Sequence, residues 1–320
     1  MKICAICNNS FDNKSFVVKE MMFGFRDEFS YFQCSECGCL QLAEIPEDMN
    51  KYYPSKYYSY YEKRKKTFRN RIKDYLLPSS MKFRMGISSS ILYWISNFRY
   101  RTTFSWINKE FGKYQNSSVL DVGCGSGSLI SYFSKCGFTK LTGIDPYLSK
   151  TFLGTDFSLL KNDLMEMETT FKLIMFHHSF EHMSNQHEVF NQLSKLLEDD
   201  GLLLIRIPLV DSYAWRTYGT SWFALDAPRH LFLHTAKSIN YLVQEYGFYI
   251  DKVLYDSTDQ QFYYSDGYQR NIALCENSDN FSTKEIKDFQ AHAKNLNRLK
   301  DGDQACFYIR KNKLFDTTTI

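Results

Sequence analysis

The stretch Val119-Leu-Asp-Val-Gly-Cys-Gly-Ser-Gly127 constrains the fold of this chain more than any other. Apolar residues and an aspartate lead into three alternate glycines, Gly123, Gly125 and Gly127, which tolerate positive φ and present no Cβ to a ligand. The pattern predicts a β-strand that opens into a tight turn, followed by a helix over 128–136 whose N-terminus faces a ligand. Such a strand, turn and helix indicate a nucleoside-binding site.

The glycine spacing separates this turn from a dinucleotide site. Here G-x-G-x-G follows the carboxylate of Asp121, whereas a turn that binds a pyrophosphate has the spacing G-x-G-x-x-G. Asp145 ends the next predicted strand, 24 residues after Asp121, where a carboxylate accepts hydrogen bonds from ribose hydroxyls. Asp163 is a candidate partner for an adenine amino group. These acids predict a nucleoside cofactor without a pyrophosphate.

The chain around and after this turn alternates between predicted strands and helices. The strands are predicted at 118–122, 140–145, 157–160, 171–177, 202–207, 249–255 and 305–310, and further helices at 185–198 and 236–246. Gly201 is predicted to end the first of these two helices. The alternation predicts an α/β fold with a mostly parallel sheet and helices on both faces.

The order of these motifs resembles the class I S-adenosylmethionine-dependent methyltransferases, and the resemblance is clearest over residues 117–207. It implies a Rossmann-like, seven-stranded α/β sheet whose last strand is antiparallel. It also implies S-adenosylmethionine as the cofactor, bound by Asp121, Gly123, Gly125, Gly127, Asp145, Asp163 and His178.

Three histidines and a glutamate lie in the stretch Phe176-His-His-Ser-Phe-Glu-His182, which ends the fourth predicted strand. An imidazole is poised near neutral pH and can take a proton from a hydroxyl or an acidic carbon while a methyl group moves. His182 is the preferred base on this strand, and His178 is the preferred cofactor-pocket residue, with proton transfer as a second candidate role. The alternative is that the Glu-His pair caps the next helix and lines the cofactor pocket.

A predicted lid over 208–235 carries the string Trp222-Phe-Ala-Leu-Asp-Ala-Pro-Arg-His230. Trp222, Asp226 and Arg229 are candidate substrate-binding residues, because an aromatic wall and a fixed cation suit a polar substrate with an anionic group. The histidine that ends the string is a third candidate catalytic residue. The alternative is that the aromatic residues cover the core while Asp226 and Arg229 pair.

Four cysteines near the N-terminus form two C-x-x-C pairs, Cys4 with Cys7 and Cys34 with Cys37. A two-residue gap lets a tight turn aim both sulfurs at one tetrahedral centre, so the pairs predict a structural Zn²⁺ in a zinc ribbon with a hairpin between them. A redox pair and a disulfide framework are the competing interpretations, and Cys39 could replace Cys37 as a ligand.

The predicted organisation has three parts and two lid insertions: a zinc-binding domain at 1–46, a helical connector at 47–114, a methyltransferase domain at 115–320, and lids at 208–235 and 257–300. The connector contains the basic cluster Lys63-Arg-Lys-Lys66 and an apolar stripe at helical spacing formed by Ile91, Trp94, Ile95 and Phe98. The stripe is predicted to be a packed helix face, and the basic cluster a solvated one.

A net charge of +3 gives no general case for a nucleic-acid or membrane partner. No apolar run reaches the length of a bilayer span, and no signal peptide is recognised, so a cytoplasmic location is expected. The cysteine pairs and the lid string are similar to those of bacterial methyltransferases that act on sugars or nucleotide-linked sugars. A small carbohydrate acceptor, with O-methylation preferred over C-methylation, is therefore the expectation. An RNA methyltransferase and a non-enzymatic zinc-centred binding module are the alternatives, and the oligomeric state stays open.

Overall fold

A computed structural model gives the fold and describes residues 2–54, 68–87, 94–95, 104–276 and 281–312. The chain divides into two compact units. The first unit comprises Met1–Pro54, His178–Asn191 and Arg206–Asn312, and the second Ser55–His177, Gln192–Ile205 and Lys313–Ile320. These units follow spatial contacts and not chain order, so the boundaries proposed from the sequence stay a prediction.

The described residues form strands β1 to β12, with these bounds: β1 Lys14–Lys19, β2 Glu28–Gln33, β3 Leu40–Leu42, β4 Ser118–Val122, β5 Lys140–Ile144, β6 Phe152–Leu153, β7 Ser158–Leu160, β8 Phe171–His177, β9 Leu197–Pro208, β10 Phe232–Leu233, β11 Phe248–Tyr255 and β12 Gln304–Lys311. They also form helices α1 to α7: α1 Phe68–Arg84, α2 Ser128–Lys135, α3 Gln186–Leu196, α4 Tyr213–Tyr218, α5 Ala236–Glu245, α6 Gln260–Gln269 and α7 Thr283–Leu299.

The larger sheet has the strand order β11-β12-β9-β8-β4-β5-β7-β6. Strand β4 pairs in parallel with β5 and with β8, so that Val119 lies opposite both Leu141 and Leu173. Strand β8 is apolar on both faces, and Leu173 to Phe176 are fully buried, as parallel strands covered by helices require. The predicted mixed α/β fold with a mostly parallel sheet is confirmed.

Strands β11 and β12 pair in the antiparallel sense, which confirms the orientation implied for the last strand. Strand β6, of two residues, was not predicted; it pairs antiparallel with β7 through Phe152 and Leu159. The predicted helix end at Gly201 is wrong. Helix α3 ends at Leu196, and Gly201 lies inside β9, because the strand begins at Leu197 and its pairing within the sheet outweighs the local preference of glycine for a helix end.

A smaller antiparallel sheet belongs to the first unit and has the order β1-β2-β3-β10. Strands β1 and β2 form the predicted hairpin, with Phe16 opposite Tyr31. One face of this sheet packs into an apolar core that also takes in residues of the predicted first lid, among them Trp222 and Leu225. The lid string is therefore part of a folded core.

Two predicted features of the connector lie partly or wholly outside the described residues. The basic cluster Lys63–Lys66 does so entirely, as do Ile91 and Phe98 of the apolar stripe. Trp94 and Ile95 are described and are 56% and 52% exposed. None of the helices in the described ranges is long and apolar enough to cross a bilayer.

Candidate functional site

The glycine turn joins β4 to α2 in the second unit and has the predicted left-handed backbone. The φ angles of Gly123, Gly125 and Gly127 are 73°, 50° and 75°. A Cβ on Gly127 would lie 2.6 Å from Cδ1 of Leu159, so this position has room only for a glycine. The turn thus brings backbone N–H groups to the carboxyl end of β4, where ligands of parallel sheets bind.

Asp145, directly after β5, is held against this turn by its two carboxylate oxygens. Oδ2 accepts a hydrogen bond of 3.0 Å from the backbone N–H of Gly125, and Oδ1 accepts one of 2.9 Å from that of Tyr147. A carboxylate has about four acceptor positions, two on each oxygen. The geometry suits the binding of two vicinal hydroxyls.

Asp121, the acid on β4, is only 2% exposed. Its Oδ1 has no hydrogen-bond partner in the described part of the chain. Burial raises the pKa of this carboxyl to about 7, and the charge of Asp145 adds to the effect. A buried acceptor without a donor is rare in a folded protein and favours a ligand group at this position.

Asp163 lies in the same unit and starts a short 3-10 helix over Leu164–Glu166. Its Oδ1 accepts a hydrogen bond from the backbone N–H of Met165, and Glu166 accepts one from the backbone N–H of Asp163. This capping box fixes the position of Asp163. Its proposed contact with an adenine amino group stays a prediction.

In the first unit, Glu181, His182 and His230 form a group that is here called the imidazole cluster. One ligand atom from each residue lies within 4.8 Å of the other two. The Nδ1 atoms of both histidines lie 2.8 Å from backbone carbonyls, that of His182 from Arg229 O and that of His230 from Ala224 O. Both Nδ1 atoms therefore donate, and the neutral ring keeps its lone pair on Nε2.

The electrostatics of the imidazole cluster keep its carboxylate charged and one imidazole neutral. Burial raises the pKa of Glu181, but the hydrogen bond from His178 and the charges of nearby imidazoles outweigh it and lower the pKa to about 2. Burial, with a contribution from His230, lowers the pKa of His182. A neutral imidazole with a free lone pair is able to accept a proton.

His178 has a left-handed backbone with a φ of 56°, and both of its ring nitrogens have partners. Nδ1 lies 3.3 Å from Oε1 of Glu181, and Nε2 contacts the guanidinium of Arg206, which is itself bound to Asp256. The ring is thereby oriented with Nδ1 as the donor. The role of His178 at a cofactor or in proton transfer stays a prediction.

The candidate substrate residues of the lid are buried within the first unit. Trp222 is 1% exposed, and its Nε1 donates a 3.0 Å hydrogen bond to Asp303. The Arg229 side chain has no exposed surface and donates to Asp226, to Glu20 and to the carbonyl of Tyr52. The Asp226–Arg229 pair that the sequence left as the alternative is confirmed, and direct contact of these residues with a substrate stays a prediction.

Sequence reasoning missed three buried partners of these side chains: Glu20, Arg206 and Asp303. Glu20 follows β1 and accepts backbone hydrogen bonds from Met22, Phe23 and Phe25 besides the bond from Arg229. No motif surrounds it, and nothing in the spacing links it to Arg229, 209 positions away. Only the folded chain identifies these residues.

The four paired cysteines come together in the first unit. Cys4 Sγ lies 3.6 Å from Cys37 Sγ, and Cys7 Sγ lies 3.5 Å from Cys34 Sγ. Sulfurs on one tetrahedral Zn²⁺, each bound at about 2.3 Å, are separated by roughly 3.8 Å, so the group fits that ion. These separations also exclude a disulfide bond, which needs about 2.05 Å. Cys39 is not part of the group.

The sulfur of Cys4 is also held by the side-chain amide of Gln41. Nε2 of Gln41 donates to Sγ of Cys4 over 2.9 Å, and the thiol of Cys37 lowers the pKa of Cys4 to about 5. Both features favour the thiolate form of Cys4, which a metal ligand needs, whereas the same hydrogen bond to Cys4 raises the pKa of the Cys37 thiol.

Comparison with known proteins finds one matching family model and several similar solved structures. The family described as "Methyltransferase domain" matches residues 95–253. Solved structures with a similar fold include a SAM-dependent methyltransferase from Archaeoglobus fulgidus, with a TM-score of 0.44, 18% identity and coverage of 69% of this chain and 99% of that one. A putative sarcosine dimethylglycine methyltransferase from Galdieria sulphuraria has a TM-score of 0.44 and 13% identity, and covers 69% of this chain and 88% of its own. No curated protein matches the chain.

Proposed function

Because this chain is an S-adenosylmethionine-dependent methyltransferase, we propose that it methylates a hydroxyl group of a small polar acceptor, a sugar or a nucleotide-linked sugar. The observation that carries the cofactor assignment is the carboxylate of Asp145, held by Gly125 and Tyr147 against the glycine turn. A carboxylate at this position, at the end of β5 and beside the glycine turn, suits the two ribose hydroxyls of an adenosyl group.

The second unit fits the cofactor at three further points. The three left-handed glycines of the turn carry no side chains that would shield its backbone from a ligand. Asp121 keeps an unpartnered buried oxygen for a polar or cationic group of the ligand, and Asp163 is assigned to the adenine amino group. Bound S-adenosylmethionine supplies a methyl group on a sulfonium, which is already activated for transfer.

The protein must therefore align the acceptor and remove its proton. A sugar hydroxyl has a high pKa and is a poor nucleophile until it loses the proton to a base. We assign this task to the imidazole cluster, with the Nε2 lone pair of His182 as the acceptor and His230 and His178 as its neighbours. The oxygen then forms the new O–C bond while the C–S bond breaks and its electron pair stays on sulfur.

The lid residues are assigned a positioning role in this reaction. Arg229 binds Asp226, and Oδ2 of Asp226 lies 3.9 Å from Nε2 of His230. Trp222 anchors the same segment through Asp303. These contacts hold the backbone carbonyls of Arg229 and Ala224 at the Nδ1 atoms of the two imidazoles.

We also propose that Cys4, Cys7, Cys34 and Cys37 bind one structural Zn²⁺. Four thiolates close the coordination sphere and leave no position for water or substrate. The ion therefore stabilises the hairpin of β1 and β2 and takes no part in methyl transfer.

The acceptor class is tested by incubating the protein with methyl-labelled S-adenosylmethionine and, separately, a panel of nucleoside diphosphate sugars and bulk tRNA. We expect label in a sugar product, located at oxygen by tandem mass spectrometry, and a large loss of rate in His182→Gln at unchanged donor affinity. Label in RNA with none in any sugar would contradict the proposal and favour the RNA methyltransferase alternative.

A further inference from the structure

The imidazole cluster has the donor set of a metal site. Two imidazoles and one carboxylate approach one another within the first unit, and Nε2 of His230 lies 3.8 Å from Oε1 of Glu181. Ligand atoms bound at about 2.1 Å to one ion are separated by roughly 3 to 4 Å. Small side-chain rotations would bring the three groups to that separation.

The orientation of the rings is that of metal-binding histidines. A ligating imidazole almost always donates its second N–H to a carbonyl or carboxylate, which fixes the tautomer and makes the other nitrogen the ligand. His182 and His230 both do so through Nδ1, at 2.8 Å from a backbone oxygen in each case. The carbonyls belong to Arg229 and Ala224, whose positions are fixed by the buried Arg229 network.

The carboxylate supplies a second, independent observation. Glu181 is fully buried, and its Oε2 has no hydrogen-bond partner among the described residues. A buried carboxylate oxygen without a donor is rare in a folded protein and favours a cation or a bound water at that position. The surrounding charge points the same way, because Glu20, Asp226 and Glu181 are all buried carboxylates and Arg229 offsets the charge of one of them.

From these observations we propose that Glu181, His182 and His230 bind a divalent first-row transition-metal cation, separate from the ion in the cysteine site. Two imidazoles and one carboxylate leave coordination positions open, as in catalytic zinc and non-haem iron sites. An oxygen bound at an open position loses its proton at a lower pH than it would in water.

The chemical role of the cation rests on the proposed function, whereas its binding does not. If the cation is bound, His182 would be one of its ligands, and the Lewis acidity of the ion would activate the acceptor hydroxyl in place of the proton uptake proposed above for His182. The hydroxyl proton then leaves to solvent. The bonds made and broken in methyl transfer are unchanged.

The test uses the full chain with its cysteine site loaded with Zn²⁺, confirmed by metal analysis, and titrates it with Co²⁺. Zinc binds thiolates in preference to cobalt, so added Co²⁺ reports on nitrogen and oxygen sites. We expect one additional Co²⁺ per chain, with visible d–d bands and without thiolate-to-cobalt charge transfer. Glu181→Gln and His230→Gln are each expected to weaken this binding by at least about tenfold.

His187→Gln is the matched control. His187 is a partly buried histidine of the same unit whose ring nitrogens contact Tyr246 and the carbonyl of Ile6, outside the cluster. It should leave the Co²⁺ titration unchanged. Wild-type protein that binds no Co²⁺ beyond the cysteine site would overturn the proposal, whatever the folding of the variants, and so would folded Glu181→Gln and His230→Gln proteins that titrate like wild type.

Calorimetry with S-adenosylmethionine on the same samples separates this proposal from the proposed function. If the protein binds the donor but no second cation, the cation site is contradicted and the proposed function is not. If it binds a second cation but no donor, the proposed function is contradicted and the cation site is not.

Discussion

At the scale of single residues, Arg229 stabilises a charge network that has no access to water. Its guanidinium lies 2.6 Å from Asp226 and 2.8 Å from Glu20, and the ring of Phe23 covers it at 5.2 Å from the ring centroid. Removing one partner of a buried ion pair leaves an uncompensated charge, which costs far more than the pair itself contributes.

Arg229→Met is therefore expected to lower the free energy of unfolding by about 3–5 kcal/mol, measured by urea denaturation. Arg216→Ala is the control, because Arg216 pairs with Asp301 while its own side chain is 57% exposed. The control should cost less than about 1 kcal/mol. Equal effects of the two substitutions would mean that the buried network is not what stabilises this segment.

Asp121 gives a pH dependence that can be measured separately. Its pKa is raised to about 7 by burial and by Asp145, whereas an unfolded chain has an aspartate pKa of about 3.9. Between these values the unfolded state releases the proton and the folded state retains it, so stability falls as pH rises from about 4 to about 7 and levels off above. The upper limit of this loss is on the order of 4 kcal/mol.

Asp121→Asn removes the titrating group and should remove this part of the pH dependence. Urea denaturation at pH 5 and pH 8 is expected to show the variant gaining stability relative to wild type at the higher pH. If the difference between variant and wild type is the same at both pH values, the carboxyl is not held protonated by its surroundings.

At the scale of elements, the segment formed by β4, the glycine turn and α2 depends on a backbone conformation that only glycine adopts without strain. Gly127→Ala is expected to cost about 2–4 kcal/mol of stability, from the left-handed φ of 75° and from the clash with Leu159. Thermal denaturation measures the loss, and donor affinity should fall with it.

Gly86→Ala is the matched control for this substitution. Gly86 has a φ of 70°, but a Cβ there would meet Cγ of Lys109 at 3.6 Å, an ordinary contact. Gly86→Ala should lower the free energy of unfolding only by the strain of a left-handed backbone at a non-glycine residue, about 1–2 kcal/mol. A Gly127 variant as stable as the Gly86 variant would show that the turn accommodates a side chain.

The elements of the sheet are predictable from the sequence because continuous apolar strands bounded by acids and glycines have few alternatives. The bounds of β4 and β8 are those predicted, those of β5, β7 and β11 differ by one residue at one end, and those of β12 differ by one residue at each end. The end of α3 is not predictable in this way. Gly201 is a helix stop by local propensity, but pairing within the sheet extends β9 back to Leu197.

At the scale of the whole molecule, the cysteine site lies in the first compact unit and the glycine turn in the second. Cys34→Ser should lower zinc content well below the one ion per chain expected of wild type, as measured by atomic spectrometry. Cys275→Ser, at an exposed cysteine outside the cluster, is the control and should keep its zinc. Full zinc occupancy in Cys34→Ser would overturn the ligand set.

The sequence predicted both of these motifs because their ligands lie close together in the chain or end adjacent strands. It could not predict the contact of Arg229 with Glu20 or the anchoring of Trp222 by Asp303, because those residues lie 209 and 81 positions apart in the chain. It therefore left direct substrate binding and internal pairing as equal interpretations of the lid, and the folded chain shows the pairing.

The central claim is that S-adenosylmethionine binds at the glycine turn through Asp145, and isothermal titration calorimetry tests it most directly. Wild type should bind one donor molecule per chain, Asp145→Asn should bind it at least about 100-fold more weakly through the loss of two charge-assisted hydrogen bonds, and Asp156→Asn, at an exposed acid of the same unit, should match wild type. Wild-type protein that does not bind the donor, or an Asp145→Asn protein that binds it with unchanged affinity, would contradict the account.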